Sequence, residues 1–561
     1  MENMKSQLSI GFIVDGEISS KYVHELAEWG QKQSDLAVCY LIIQKNINSN
    51  KNVGTLGKVI KLIKGNRVHS FLSHLSFTLI SKMEFLLLKK IEIHKHYFEK
   101  FDLAAIVPKS VIIEPIISKS GFVHRYSDED IDKVKALGLD LLVRFGSGIL
   151  RGEILNASKL GIISFHHGDS KKNRGGPPGF WEVFHKKDST GFMIQSLTEE
   201  LDGGDVLISG EFQTKSYYLL NRAFLYEKSF VYMKFLLSDI AKLGKLPAAR
   251  ESAPYFNRLF KVPTLIEQFL YVIKFAYLKI SESLSYRLFK KSYRWGVAFS
   301  RSDWKNLVMW RAIKIVNPVN HFLADPFVIS EDGRDYCFVE DYDYGKSRGC
   351  ISVYELKEKT AECLGDAIVE PFHMSFPYLF RFEGKLYMCP ETSEMRDIRL
   401  YECINFPLQW KLSKVLMKDV SATDTMIFEK NGIWWLFTNI DPSNIGDHCS
   451  ELFIFSADNP LSKEWIPHDK NPIIIDSNKA RNAGLLFHDD SIYRASQRQG
   501  FNLYGKGLSI NEICSLSGSE YSESKLCSIE PNFFPDIKGT HHLHSNGSVT
   551  AFDFVTVTRY Q

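Results

Sequence analysis

The chain has 561 residues, 44% of them apolar and 13% aromatic. That length exceeds what one hydrophobic core serves, supplies roughly two to four domains and excludes long disorder. A net charge of +3, from 69 basic against 66 acidic residues, gives no global case for a nucleic-acid partner.

The nine cysteines stand singly, without a C-x-x-C pair or metal-ligand spacing, as expected of reduced thiols in a cytosolic protein with no metal centre. The start, MENMKSQLSIGFIVDGE, lacks the pattern of a signal peptide. No window reaches about 18 uninterrupted apolar residues, so no spanning helix is expected and a cytoplasmic location is.

In chain order, Ser9 to Val14 reads as a buried strand ending at Asp15-Gly16, residues 20–31 carry helical spacing, and Leu36 to Ile43 is a second buried strand. Strand, helix and strand predict a parallel α/β sheet, and the missing GxGxxG excludes a dinucleotide fingerprint. From about 51 to 100, lysines at 58, 61, 64, 82, 89 and 90 are threaded through apolar pairs. Two readings stand for that stretch: a helical insertion packed on the sheet, or a basic amphipathic helix pair lying on the inner membrane surface. Val111 to Ile113 is another strand, and a helix opens at Asp128 with acids at its favourable end. A strand over Leu139 to Phe145 ends in Gly146-Ser147-Gly148-Ile149-Leu150, a short helix spans 153–159, and Gly161 to His166 is the next strand.

The densest chemistry follows. Alternation along the strand puts Ser164 and His166 on one face and Phe165 and His167 on the other. In an open parallel sheet the C-terminal strand ends form the ligand crevice, where His166 then sits. In the turn KKNRGGPPGFW, Gly175, Gly176 and Gly179 let backbone approach a ligand while Pro177 and Pro178 stiffen it, and a helix carries Trp181. Gly191 to Gln195 reads as an edge strand, and the loop ELDGGD returns Asp202 to the same neighbourhood. A histidine paired with a carboxylate is an acid/base unit.

The ordered segments DLLVRFGSGIL, GIISFHHGDSKKNRGGPPGFWEVF and TGFMIQSLTEELDGGDVL resemble the 10-formyltetrahydrofolate-dependent formyltransferases over about residues 100–212. The resemblance implies a formyltransferase-like variant of the Rossmann fold, with His166 as catalytic histidine and Asp202 as catalytic aspartate. It implies a folate pterin along Phe145, Gly146, Ser147, Gly148, Ile149 and Leu150, with Gly175, Gly176 and Trp181 towards the substrate. The family's asparagine falls at Ser164, a shorter donor. Three readings follow: an active formyltransferase with altered geometry, a transferase with another donor, or an inactive relic.

Residues 216–245, rich in aromatics, and 264–293 read as long helices of a linker region, either packed in a core or docked on a membrane surface. From about Arg294, tight turns at Asp332-Gly333, Glu383-Gly384, Asn431-Gly432, Asp489-Asp490 and Asn546-Gly547 precede aromatic strands at a spacing of about 50 residues, the period of propeller blades. Five blades are expected. The segments ADPFVI, FVEDYDYG, HMSFPYLFRFEGKLYMCPET, SATDTMIFEKNGIWWLFTN and GLLFHDDSIYRASQRQGFNLYG look like the propeller of plant glucosamine inositolphosphorylceramide transferases and, more distantly, of furanosidase-type glycoside hydrolases. Innermost strands face a central channel, where Asp325, Glu340, Asp341, His373, Glu391, Asp424, Arg481, Arg494 and Gln497 are expected to gather. Such a lining suits sugar or phosphate binding, and paired carboxylates could also cleave a glycosidic bond.

The expected organisation is an α/β domain over 1–212 with its insertion at about 50–100, a helical linker over 213–293 and a propeller over 294–561. The expected activity is formyl transfer from 10-formyltetrahydrofolate to an amino sugar of a nucleotide sugar or lipid-linked glycan in surface polysaccharide assembly. The alternatives are a propeller-based glycosidase or transglycosidase, and a non-catalytic glycan-binding protein.

Overall fold

The continuous apolar runs of the first half become the centre of a seven-stranded sheet. Its strands are β1 (Leu8–Val14), β2 (Leu36–Gln44), β3 (Ser110–Ile113), β4 (Leu141–Arg144), β5 (Ile162–His166), β6 (Ser189–Ser196) and β7 (Val206–Gln213), in the order β7-β6-β5-β4-β1-β2-β3. The five strands from β5 to β3 run parallel, while β6 and β7 return antiparallel. Parallel strands are covered on both faces, which is why Ile10, Phe12, Ile42, Val143 and Ile163 are fully buried and the runs show no alternation. The C-terminal ends of β1, β2, β4 and β5 leave Asp15, Gln44, Arg144 and His166 along one edge of the sheet.

The computed structural model describes residues 7–45, 68–119, 121–168, 174–199, 204–249, 258–287 and 291–559. The chain divides into two units, Met1–Ala276 and Tyr277–Gln561. Of the expected insertion, lysines 58, 61 and 64 lie outside the described residues, and the rest includes α2 (Val68–Leu88), which follows α1 (Lys21–Gln31). The helix α3 (Asp128–Lys135) starts where expected, with the Ser127 side chain accepting from the Asp130 N–H.

The helices α4 (Phe180–Phe184), α5 (Tyr218–Leu243) and α6 (Leu265–Arg287) complete the first half. The spacing placed α5 in a linker, but it packs on the sheet of the first unit. Phe230 meets Phe165 at 4.6 Å between ring centres, Tyr226 stacks on His167 at 3.8 Å, and Tyr232 lies 5.1 Å from Phe192. Fourteen of its residues, Asn221 and Lys228 among them, are buried, so the helix belongs to the core although its sequence shows no single apolar stripe.

The second unit is rich in β structure, with five antiparallel sheets. Four of them lead with His321–Glu331, Ser375–Phe382, Ala422–Lys430 and Asn482–His488. These strands lie beside one another in that order, and the last meets Leu543–Ser545, which returns to His321–Glu331. The fifth sheet pairs Lys291–Ser300 with Thr550–Arg559, so the two ends of the unit share one ladder. The predicted turns are present. At Asp332-Gly333, Glu383-Gly384 and Asn431-Gly432 both central residues have positive φ, the conformation a two-residue hairpin requires.

One irregularity repeats. In the first strand of four sheets the register slips before Phe327, Tyr378, Met426 and Leu485. The bulged residues Asp325, Phe376 and Asp424 have φ of 49°, 46° and 49°. Bulges re-aim side chains, and left-handed non-glycine residues persist only where packing holds them.

Candidate functional site

In the first unit, the strand ends carry a polar network, buried at Gln44 and Tyr126 and exposed at Asp15 and Ser147. The Gln44 Nε2 donates to Asp15 Oδ1 (2.5 Å) and to the Ser147 carbonyl (2.8 Å), and the Tyr126 hydroxyl donates to Gln44 Oε1 (2.8 Å). Asp15 in turn accepts from the Ser147 N–H at 2.9 Å. Arg144 reaches the Gly148 carbonyl with Nη2. These bonds stitch down the 145–150 segment. The Phe145 and Ile149 amides are also committed, to the carbonyls of Ile13 and Phe122. A Cβ at Gly146 would meet Gln44 at 2.4 Å and one at Gly148 would meet the His124 ring at 2.4 Å, so neither position admits a side chain.

Three buried nitrogens around this segment, His124 Nδ1, Arg144 Nε and Arg151 Nε, have no hydrogen-bond partner among the described residues. Buried donors left open are rare and point to a polar ligand. Burial lowers the pKa of His124, with Arg144 adding to the effect, so this ring is neutral at pH 7. Two guanidiniums and a neutral imidazole fit the carboxylates and ring heteroatoms of a folate.

His166 is the last residue of β5, opposite Met193 of β6. Ser164 is 5% exposed and pairs in register with Arg144 of β4. Partners across parallel strands face the same way, so Arg144, Ser164 and His166 share one face. The Ser164 hydroxyl lies 3.3 Å from its neighbour Phe165's carbonyl and 3.5 Å from that of Arg144. Its proton is directed to backbone rather than into the crevice. Phe165 and His167 take the opposite face, as alternation predicts, and burial pushes the His167 pKa down to about 3. Asp202 lies outside the described residues.

The glycine turn is braced from within. Gly175 pairs with Phe260, has φ of 101°, and would place a Cβ 2.0 Å from the Phe260 carbonyl oxygen. The Trp181 indole N–H donates to the carbonyls of Gly176 and Lys261, both at 3.2 Å, and the ring is buried. Gly175→Ala is therefore expected to destabilise the first unit by about 2–3 kcal/mol, read as a lowered urea midpoint with the second unit's transition unmoved.

In the second unit, the bulges turn Asp325 and Asp424 towards a buried cluster. The Arg481 Nε lies 2.7 Å and its Nη2 3.4 Å from the two Asp424 oxygens, a two-point clamp, and Gln497 Nε2 lies 3.4 Å from Asp424. The Glu391 carboxylate accepts from Ser375 (2.9 Å) and Ser393 (2.7 Å). His373 Nε2 is 3.7 Å from Glu340. His541 bridges two acids, with Nδ1 2.6 Å from Asp553 and Nε2 3.3 Å from Asp325. Asp553 also accepts from the His541 and His542 amides. Trp295 and Tyr504 lie against His541, at 4.0 and 5.2 Å. Asp325, His541 and Asp553 could each offer one ligand atom to a metal ion.

Expected together, Asp325, Glu340, His373, Glu391, Asp424, Arg481 and Gln497 are brought together. Two residues grouped with them are not. Asp341 points away from its neighbour Glu340, to His321 (2.5 Å) and Ser352 (3.1 Å). Arg494, three positions from Gln497 on one strand, faces the other way and pairs with Glu523 at 2.8 Å. Alternation forbids both from the cluster. His541, Asp553, Trp295 and Tyr504 went unremarked in the sequence because they come from distant strands; the paired His541-His542 before the last strand was the available signal.

Burial raises the Asp325 pKa to about 7, with the Asp424, Asp553 and Glu391 charges adding and His541 opposing. Burial, opposed by Arg481, leaves Asp424 at about 6, and burial with neighbouring acids holds Glu340 well above the usual range. Burial lowers the His541 pKa, but Asp553 and Asp325 outweigh it and the net shift is upward. An unfolded aspartic acid releases its proton near pH 4 and folded Asp325 near 7, so between them the folded state binds more protons. Stability of the second unit is expected to fall as pH rises from about 4 to 7, with a slope of about 1.4 kcal/mol per pH unit for each proton involved. The raised His541 acts in the same direction. Urea midpoints at pH 5 and 7.5 test this, and Asp325→Asn should flatten the difference.

A family profile described as "Glucosamine inositolphosphorylceramide transferase 1, N-terminal" matches residues 305–541. Glucosamine inositolphosphorylceramide transferase 1 of Arabidopsis thaliana is 38% identical over 209 residues, 36% of this chain and 27% of that protein. The chain thus spans about a quarter of the length of that curated relative. Methionyl-tRNA formyltransferase of Bacillus subtilis (strain 168) is 28% identical over 212 residues, 36% of this chain and 63% of that one. Among solved structures, the catalytic domain of the Coprinopsis cinerea GH62 α-L-arabinofuranosidase covers 48% of this chain and 98% of its own at 11% identity and a TM-score of 0.33. Glycinamide ribonucleotide transformylase 1 from Symbiobacterium toebii covers 42% and 87% at 11% identity and a TM-score of 0.26. The chain is thus similar in part to glucosamine inositolphosphorylceramide transferase 1 and in part to methionyl-tRNA formyltransferase.

Proposed function

We propose that the first unit transfers a formyl group from 10-formyltetrahydrofolate to the amine of a sugar, and that the second unit is a five-bladed propeller that binds the glycan carrying it. The acceptor is an amino sugar of a nucleotide sugar or lipid-linked glycan, in surface polysaccharide assembly. The observation that carries this reading is His166 at the end of β5, on one face with Arg144 and beside a strand-end segment ringed by open buried nitrogens. Sequence similarity to methionyl-tRNA formyltransferases supports it. The near-neutral charge favours no nucleic-acid acceptor, and nine cysteines free of disulfides support a cytoplasmic location.

The folate supplies an activated formyl group when bound, held by the 145–150 segment with Arg144 and Arg151. His166 would donate a hydrogen bond to the formyl oxygen as negative charge develops there, and Asp202 would take the proton that the attacking amine loses and return it to the folate nitrogen as its bond to the formyl carbon breaks. Ser164 has turned its hydroxyl to backbone, so Arg144, its register partner, replaces the family's asparagine as the second donor. One such donor lowers the barrier by about 3–4 kcal/mol. Folate binding, followed by tryptophan fluorescence, tests the first half of the proposal; a protein that binds glycan but no folate contradicts it.

A second reading makes the propeller the site of group transfer, because burial raises the Asp325 carboxyl to about 7, where it could protonate a leaving oxygen. Substituting His166 in one variant and Asp325 with Glu391 in another separates the two: the set that abolishes turnover carries the chemistry.

A further inference from the structure

Two long helices, α2 and the part of α6 within the first unit, bury bonded polar groups and expose apolar stripes. On α2 the buried positions include Ser73 and Glu84, and on α6 they include Gln268 and Tyr271. The Gln268 Nε2 donates to the Ser73 carbonyl at 2.7 Å, the Tyr271 hydroxyl donates to Glu84 Oε2 at 3.1 Å, and the Leu219 amide of α5 donates to Glu84 Oε1 at 3.1 Å. The inward seam thus carries bonded polar groups among aromatic contacts, with Phe77 on Phe180 at 5.3 Å and Phe275 on Tyr217 at 4.8 Å. The outward stripes are apolar: Leu75, Leu79 and Leu86 are 48%, 59% and 62% exposed, and Ile266, Phe269 and Ile273 are 73%, 64% and 49% exposed. Both sets follow helical spacing, so each forms one face. A core helix shows the reverse, and only 17% of the stretch 71–88 is buried.

The exposed charge of α2 and of the residues that end it is basic. Lys82, Lys89 and Lys90 are exposed on α2 and just beyond it. From Lys51 to Lys82 the sequence carries Lys51, Lys58, Lys61, Lys64, Arg67 and Lys82 and no acid. Apolar side chains that enter the interfacial region, bordered by lysines that meet headgroups, are the pattern of a helix lying in an anionic membrane surface.

We infer that the outward face of α2 and α6 docks the first unit on a bilayer surface bearing anionic headgroups. The helices lie in the interface rather than across it, since α2 alone would have to abandon Gln268, Tyr271 and Leu219 to span, leaving Glu84 unpaired in hydrocarbon. This placement stands apart from the transfer reaction and would bring the unit to where a lipid-linked acceptor is found.

Full-length protein is sedimented with phosphatidylcholine vesicles, alone or with about one third phosphatidylglycerol. Binding to the anionic vesicles, weakened by salt and reversed by an alkaline wash, is expected. The variant Leu79→Gln/Leu86→Gln/Phe269→Gln should lose at least about tenfold in vesicle affinity with an unchanged melting curve, because the replaced side chains are exposed. Lys89→Glu/Lys90→Glu, which leaves the apolar stripe intact, should lose the preference for anionic lipid. Equal binding to neutral vesicles, unaltered binding by both variants, or retention through the alkaline wash would overturn the inference. So would a dimer that dissociates in the triple variant while no vesicle is bound, which would assign the face to a second copy of the chain.

Discussion

His166→Ala is expected to lower formyl transfer by at least about a hundredfold, with kcat reduced and the acceptor KM little changed. The side chain stands at the end of β5, where it meets the formyl oxygen only as charge gathers there, so its loss is felt in the transition state. Little stability goes with it, because the ring is not part of the sheet's apolar core. His167→Ala is the control. That ring is half-buried and stacks on Tyr226 on the opposite face, so its removal should lower the melting temperature of the first unit and leave kcat per folded molecule nearly intact. If the two variants exchanged phenotypes, the assignment of faces would be wrong.

Arg481→Leu is expected to cost the second unit about 3–5 kcal/mol and to abolish glycan binding. Arg481 clamps Asp424, which is 2% exposed, and its guanidinium also lies over Tyr504, 5.1 Å from the ring centre. Without the cation Asp424 is a lone buried carboxylate. Its pKa, already pushed up to about 6 by burial, would rise further, so the loss of stability should be smaller at pH 5, where the acid is protonated, than at pH 8. Asp424→Asn/Arg481→Leu removes both charges and should recover much of the stability without restoring glycan binding, a separation measurable by urea unfolding and by glycan titration.

Much of this architecture was legible in the sequence. The apolar runs gave the central strands because a parallel strand buried on both faces has no alternation to obscure. The Asp-Gly, Glu-Gly and Asn-Gly pairs gave the hairpins because few residues accept two successive positive φ values. The facing of Ser164 and His166 followed from the period of a strand. The same period, not applied, led Asp341 and Arg494 into the acidic cluster, although each lies an odd number of residues from a true member.

Long-range pairing was hidden. Asp15, Gln44, Tyr126 and Arg144 form one network across more than a hundred residues of sequence, and the only local sign was a lone arginine closing the apolar strand LDLLVR. The direction of the Ser164 hydroxyl depends on carbonyls next to it and could not be read from residue type. The α5 segment reads as a linker because its sequence shows no single apolar stripe. Its neighbours α2 and α6 carry stripes that point outward, which no periodicity can distinguish from stripes pointing in.

The most direct test is to incubate the protein with 10-formyltetrahydrofolate and a panel of free, nucleotide-linked and lipid-linked amino sugars, and to read the products by mass. An amino sugar gaining one formyl group with the native protein and none with His166→Ala is the predicted result. No formylated sugar from any acceptor, or a larger acyl group delivered from another donor, would contradict the assignment of this chain as a formyltransferase.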